Sequence, residues 1–298
     1  MRVVIAGGSG LIGTELVRVL RARGDEPVIL GRTAGEGRVV WNPATGSIPT
    51  DVIASADAVV NLAGASIGRL PWTKAYLGKL VSSRLQATNT LVSAINAAVA
   101  EGAGPKVFVS GSASGWYGSV GSQLLTEEAP AGTGFLASLC EVWEAEAAKV
   151  TPQVRLVLAR TGIVLSRSGG ALGRLLGLIK IGAGGPLGNG KQFWPIITLT
   201  DEARAIAHLI HTDSATGAFN LCAPEQANVG EIVGTLARKL GRPAALPAPA
   251  FALRLALGIA ADEMLLSSQR LSSQKLVATG FVFEHPSLDS ACAWVLQK

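Results

Sequence analysis

The chain has 298 residues, long enough for a large domain with an appended lobe, and with 48% hydrophobic against 16% charged residues it can build a sizeable core, which excludes disorder. Its 26 Lys and Arg against 21 Asp and Glu give a net charge of +5, but Arg18, Arg21, Arg23, Arg32 and Arg38 lack the dense runs and interleaved aromatics of a nucleic-acid surface and fit a solvated face or a phosphorylated ligand. Cys140, Cys222 and Cys292 are odd in number and form no C-x-x-C pair, and neither a membrane-span run nor a signal peptide is evident, so a cytoplasmic, reducing setting is expected, with no disulfide framework, no metal and no membrane partner.

In chain order, the apolar run Val3-Val4-Ile5-Ala6 is followed by Gly7, Gly10 and Gly13 and then by an amphipathic segment, which predicts strand, tight turn and helix. A dinucleotide pyrophosphate needs bare backbone to approach and unpaired N–H groups to neutralise it. Gly7 would make the turn, Gly10 admit the phosphates and Gly13 let helix pack on strand, with Ser9, Leu11 and Ile12 completing the contact. Leu16, Val19 and Leu20 continue the helix to Gly24, and Pro27–Leu30 forms a second strand. At its end stands Gly31-Arg32-Thr33, where an acidic residue would take a ribose 2′-hydroxyl. An arginine fork matches a 2′-phosphate and a threonine hydroxyl can support it, so NADP(H) is favoured over NAD(H), a solvated arginine being the alternative.

Arg38–Trp41 reads as a short strand and Asn42–Gly46 as a turn. Ala58–Gly64 is a buried strand running into small residues, which makes Leu62, Ala63 and Gly64 the next cofactor contacts. Trp72–Ala100 is a long helix, and its Arg84 would pair with a cofactor phosphate if placed beside it, or else lie on a solvated face. Strand Lys106–Ser110 leads into Gly111–Gly118, helix Phe135–Lys149 carries Trp143 and Glu144, and strand Val154–Leu158 follows. Strands alternating with helices predict an α/β fold, a parallel sheet covered on both faces. Beyond Thr161–Leu165, the glycines at 169–170 and 182–190 suggest a lid or loop scaffold. Asp201–His211 is a helix whose His208 and His211 lack a third ligand. A helical tail starts at Glu225 and breaks at Gly241-Arg242-Pro243, and Leu246–Ala261 reads as a core or lid helix interrupted by prolines.

These residues resemble the extended short-chain dehydrogenase/reductase superfamily, in its atypical branch of epimerase family proteins. The likeness is carried by Gly7–Gly13, Asn61–Gly64, Ser83-Arg84 with Thr88, Ser112–Gly118, Trp143-Glu144, Arg160–Leu165, Gly184–Gly188 and Leu265–Gln269. It implies a Rossmann-type doubly wound parallel sheet that binds NADP(H), with Thr161 and Gly162 among the contacts. On this reading residues 1–165 form the cofactor domain, 191–222 return to it, and 166–190 with 223–298 make a smaller C-terminal substrate lobe. Relatives pair through helices beside the sheet, so a homodimer is implied, although no apolar stripe singles out a partner face.

Catalytic members use a tyrosine and a lysine spaced Y-x-x-x-K on one helical face, where the lysine lowers the tyrosine pKa. Here Leu136 and Cys140 occupy those positions. Ser112 stands where the superfamily places a hydroxyl donor, and Tyr117 follows in the same loop, so these are the candidate catalytic residues. Relatives also carry a histidine where this chain has Thr198, ahead of Asp201. The resulting expectation is an NADP(H)-dependent oxidoreductase or epimerase-like enzyme acting on a small carbonyl or sugar-like substrate. The competing reading is a non-catalytic NADPH-binding sensor or partner-binding protein.

Overall fold

The computed structural model describes residues 1–166, 171–181, 184–244 and 246–297, the side chains of 171–175 excepted. The glycines expected in a lid at 169, 170 and 182 lie outside the described residues. In the first half of the chain, β1 (Arg2–Ala6) leads through the glycine turn to α1 (Leu11–Ala22), then β2 (Glu26–Gly31), β3 (Arg38–Val40), α2 (Thr50–Ala54), β4 (Ala58–Asn61), α3 (Lys74–Ala100) and β5 (Val107–Ala113). A 3-10 turn at Ser114–Tyr117 and β6 (Leu124–Leu125) precede α4 (Phe135–Ala147), β7 (Arg155–Thr161), β8 (Ile163–Leu165) and α5 (Ala171–Lys180). The remainder comprises β9 (Phe193–Trp194), β10 (Ile196–Thr198), α6 (Leu199–His211), β11 (Gly217–Leu221), β12 (Ala227–Asn228), α7 (Val229–Lys239), α8 (Ala250–Leu257), β13 (Arg270–Leu271), α9 (Gln274–Ala278) and α10 (Leu288–Leu296).

Seven strands form one parallel sheet in the order β11-β7-β5-β4-β1-β2-β3. The order reverses between β1 and β4, and a doubly wound sheet opens a ligand crevice outside the strands' carboxyl ends at such a point. Successive strand residues serve opposite faces. Val3, Ile5 and Val60 pack against Leu16 and Leu20 of α1 and Ile206 of α6. Val4, Val59 and Phe108 face Ile53 of α2 and Leu91 and Ile95 of α3. Each such fully buried aliphatic side chain contributes roughly 1.5–3 kcal/mol. A second core, built on Ile179, Trp194, Val233, Leu236 and Val295, sits under α5, α7 and α10.

Two carboxylates tie the C-terminal segments to helices flanking the sheet. Asp201, fully buried, accepts from the backbone N–H groups of Glu284 (2.8 Å) and His285 (2.9 Å) and from Arg204 (2.9 Å), which pins the stretch before α10 to α6. Glu263 accepts from the N–H groups of Phe135 (2.8 Å) and Leu136 (2.9 Å), the orphan donors of α4's first turn. No residue of α4 could supply that anion, because its first turn carries no acidic side chain and Gly134 offers none. Among the described residues no helix is long and apolar enough to cross a membrane. Replacing this cap by Glu263→Ala should cost about 1–2 kcal/mol of stability in urea unfolding; an unchanged midpoint would mean that water serves α4 equally well.

Candidate functional site

The crevice between β1 and β4 is floored by the glycine turn. Gly7 has φ +83°, and a Cβ there would lie 2.6 Å from the carbonyl carbon and oxygen of Leu62; a Cβ on Gly13 would lie 2.2 Å from the Gly7 oxygen. Both glycines are thus required by close backbone approach, whereas a Cβ on Gly10 would meet only the Gly7 oxygen, at 3.2 Å. Gly10 is the N-cap of α1 and offers no side-chain acceptor, and the first turn has no acidic residue. The leading N–H groups of α1, at Leu11 and Ile12, stand beside exposed Ser9 and Gly10 with the positive end of the helix behind them. Leu62, Ala63 and Gly64 emerge from β4 alongside, with the Leu62 N–H on the Ala6 oxygen (2.8 Å) and the Ala63 N–H on Asn61 Oδ1 (3.1 Å).

At the end of β2, Gly31 is covered by the Arg38 stem, whose Cδ would lie 3.1 Å from a Cβ at that position. The register Gly31↔Val40 between β2 and β3 is what brings Arg38 there. Arg32, Thr33 and Arg38 are exposed, and neither arginine is held in an ion pair among the described residues.

Further along the strand ends lies a buried polar network. Ser112 on β5 and Arg160 on β7 are register partners. Ser112 Oγ donates to Glu144 Oε1 of α4 at 2.5 Å, and Arg160 grips the same carboxylate through Nε to Oε1 and Nη2 to Oε2, both 2.9 Å. Arg160 Nη1 donates to the Tyr117 hydroxyl (2.9 Å) and to the Glu127 carbonyl (3.1 Å), and its guanidinium lies 4.0 Å from the Trp116 ring centroid. The Tyr117 hydroxyl donates to Asn220 Oδ1 of β11 (2.7 Å), and Asn220 Nδ2 donates to the Ser272 carbonyl (3.1 Å). Burial pushes the Tyr117 phenol up to about 12 against the pull of Arg160, so it stays protonated.

The family model for the NAD dependent epimerase/dehydratase family matches residues 3–222, and that of a domain of unknown function, DUF1731, matches residues 248–295. An epimerase family protein of Mycobacterium leprae is 40% identical over 302 residues, covering 99% of this chain and 96% of the relative. The chain belongs to the NAD dependent epimerase/dehydratase family. The human epimerase family protein SDR39U1 is 35% identical over 295 residues, 98% of each chain. The crystal structure of human SDR39U1 (isoform2) with NADPH superposes with a TM-score of 0.91 at 34% identity over 99% of both chains.

Against that family background, both candidate hydroxyls point inward. Tyr117 is only 1% exposed, and both its donor and an acceptor lone pair are engaged; Ser112 is 5% exposed, with its proton on Glu144. The sequence placed them in one loop, but it could not show that Arg160 near the end of β7 and Glu144, buried on α4, would claim them. With three glutamates on α4 and two arginines on β7, no local pattern singled out this pair. Leu136 packs its Cβ 3.0 Å from where a Cβ on Gly115 would be. Cys140 is buried, and desolvation together with the Glu144 charge pushes its thiol up to about 11.

Arg84 is half-buried over Gly64, and burial holds its guanidinium below its usual range. The Thr161 hydroxyl donates to Glu202 Oε1 (2.7 Å), and the Gly162 N–H is on the Leu221 oxygen (2.9 Å). Thr198, in the place of the relatives' histidine, caps α6 through the Asp201 N–H (3.2 Å) and meets His285 Nδ1 at 3.2 Å. An imidazole therefore reaches this spot from the C-terminal segment, which no local pattern could reveal.

Glu202 was missed by sequence reasoning altogether. It is fully buried, its Oε2 has no partner among the described residues, and desolvation raises its carboxyl to about 8 although the Thr161 bond lowers it. A carboxyl with a folded pKa above its unfolded value stabilises at low pH and loses that contribution as pH rises through the folded value. The isosteric Glu202→Gln should therefore flatten the fall in stability between about pH 5 and 8, where a single such group contributes up to about 1.4 kcal/mol per pH unit. Parallel pH profiles for the two proteins in denaturant unfolding would show that Glu202 is not held protonated.

Proposed function

We propose that this family member binds NADP(H) in preference to NAD(H) and passes hydride between it and a small carbonyl or sugar-like substrate, without a tyrosine–lysine proton relay. The observation that carries the cofactor half is the pair of exposed, unpaired arginines, Arg32 and Arg38, beside Gly31, with no carboxylate at the end of β2 to favour a 2′-hydroxyl. The rest of the crevice suits the same ligand. The uncapped first turn of α1 and the bare Gly10 supply N–H donors and space for a pyrophosphate. Ser9, Leu11, Ile12 and Thr33 flank these anion sites, and Leu62–Gly64 with Thr161 and Gly162 border the nicotinamide end. Bound there, the cofactor supplies a two-electron hydride donor or acceptor. The NADPH in human SDR39U1, similar over the whole chain, supports the same assignment.

The chain's own residues do the positioning and leave the proton to solvent or substrate. Ser112 and Tyr117 serve the Glu144–Arg160 network, and the high thiol pKa keeps Cys140 protonated and unreactive. That same engagement favours a second reading, a non-catalytic NADPH-binding protein. Consumption of NADPH with any member of a panel of small aldehydes, ketones and sugar nucleotides supports the enzyme, and intact binding without turnover supports the second reading.

Calorimetric titration should give tighter binding of NADPH than of NADH, by roughly tenfold or more, because charge-assisted hydrogen bonds to the 2′-phosphate are each worth about 1.5–3 kcal/mol. Replacing both Arg32 and Arg38 by alanine should bring NADPH down to the NADH value. Equal affinities in the unaltered protein would remove the cofactor assignment.

A further inference from the structure

Arg84 reaches from α3 over the carboxyl end of β4, and Gly64 makes room for it: a Cβ at 64 would lie 3.1 Å from Arg84 Cζ and 3.2 Å from its Cγ. One edge of the guanidinium latches the loop after β4, with Nη1 donating to the carbonyls of Ala65 (3.2 Å) and Leu80 (3.1 Å). The other edge carries nothing. Nε is buried without a partner, Nη2 donates to no group, and no carboxylate pairs with the charge among the described residues. Trp143, with its ring centroid 5.0 Å from Cζ, supports the plane of the fork, and the protonated thiol of Cys140 adds no negative charge nearby. A desolvated cation without a counter-charge costs several kcal/mol, and the unpartnered Nε–Nη2 edge is the one whose geometry matches a carboxylate or phosphoryl group side-on.

On the proposed NADP(H) assignment the cofactor has no anion left for this position. Its pyrophosphate is served by the glycine turn and α1, its 2′-phosphate by Arg32 and Arg38, and beyond the pyrophosphate its nicotinamide and ribose carry no anionic group. We infer that Arg84 is a substrate-anchoring residue that holds an oxyanionic group, carboxylate or phosphoryl, of the molecule that meets the nicotinamide; this rests on the cofactor assignment above. Arg84 then leaves the set of cofactor-phosphate contacts and sets substrate class instead.

The test is calorimetric titration of the full chain with oxalate and, separately, inorganic phosphate at constant ionic strength, both with NADPH bound and without it. Saturable binding of either probe to the NADPH complex is expected, weakened about tenfold or more in Arg84→Gln and less in Arg84→Lys, with NADPH affinity held within about twofold. Preference for oxalate or for phosphate names the carboxylate or the phosphoryl group. Oxyanion affinity equal in Arg84→Gln, or no saturable binding to the unaltered protein, overturns the inference. A roughly tenfold loss of NADPH affinity in Arg84→Gln also overturns it, because the side chain would then belong to the cofactor. Absence of NADPH binding to the unaltered protein defeats the cofactor assignment instead, and the nucleotide-free titrations still read whether Arg84 holds the probe.

Discussion

The two-pronged contact between Arg160 and Glu144 is the constraint on which the candidate site depends. A buried ion pair recovers its desolvation cost only when the remaining donors and acceptors are also satisfied. Here the satisfying groups are Ser112, Tyr117 and the Glu127 carbonyl, with the Trp116 face against the guanidinium. Through them β5, α4, β7 and the 3-10 turn after β5 are held together, and Asn220 carries the connection to β11 and to Ser272 near α9. The hydroxyls that a proton relay would need are the ones this pair consumes.

What remains at the strand ends is a crevice rich in positive potential and poor in proton donors. The uncapped α1 terminus, Arg32, Arg38 and Arg84 all offer charge without an acidic partner among the described residues, whereas the ionisable groups that could move a proton are buried and held neutral, Glu202 by desolvation and Cys140 likewise. Such a distribution suits binding of a multiply charged dinucleotide and an anionic second ligand. It is ill suited to a proton relay driven by an ionised tyrosine.

Much of the fold was legible because most sheet strands carry a short apolar core, as at residues 3–6 and 58–60, and the glycine turn has steric reasons that any Rossmann sheet shares. Gly217–Leu221 escaped notice because its short, mixed run has no periodicity of its own; it becomes β11 only by pairing with β7. The residues bordering the crevice were legible from spacing, but the direction of their side chains was not. Ser112, Tyr117 and Thr161 each donate to a partner distant in sequence, Glu144, Asn220 and Glu202 respectively. His285 meets Thr198 for the same reason, through a tertiary contact that no window of sequence contains. In Leu246–Ala261 the prolines marked the break correctly, yet α8 buries none of its residues and leaves Phe251 and Leu255 outward, so it is no core helix.

The most direct test of the interior role of the network is the unfolding free energy of Tyr117→Phe, which removes one hydroxyl and nothing else. With Asn220 Oδ1 losing its donor and Arg160 one acceptor, a loss of about 1–3 kcal/mol in urea unfolding is expected, with NADPH binding retained. Unchanged stability would contradict the account and return the Tyr117 hydroxyl to the crevice as a candidate proton donor.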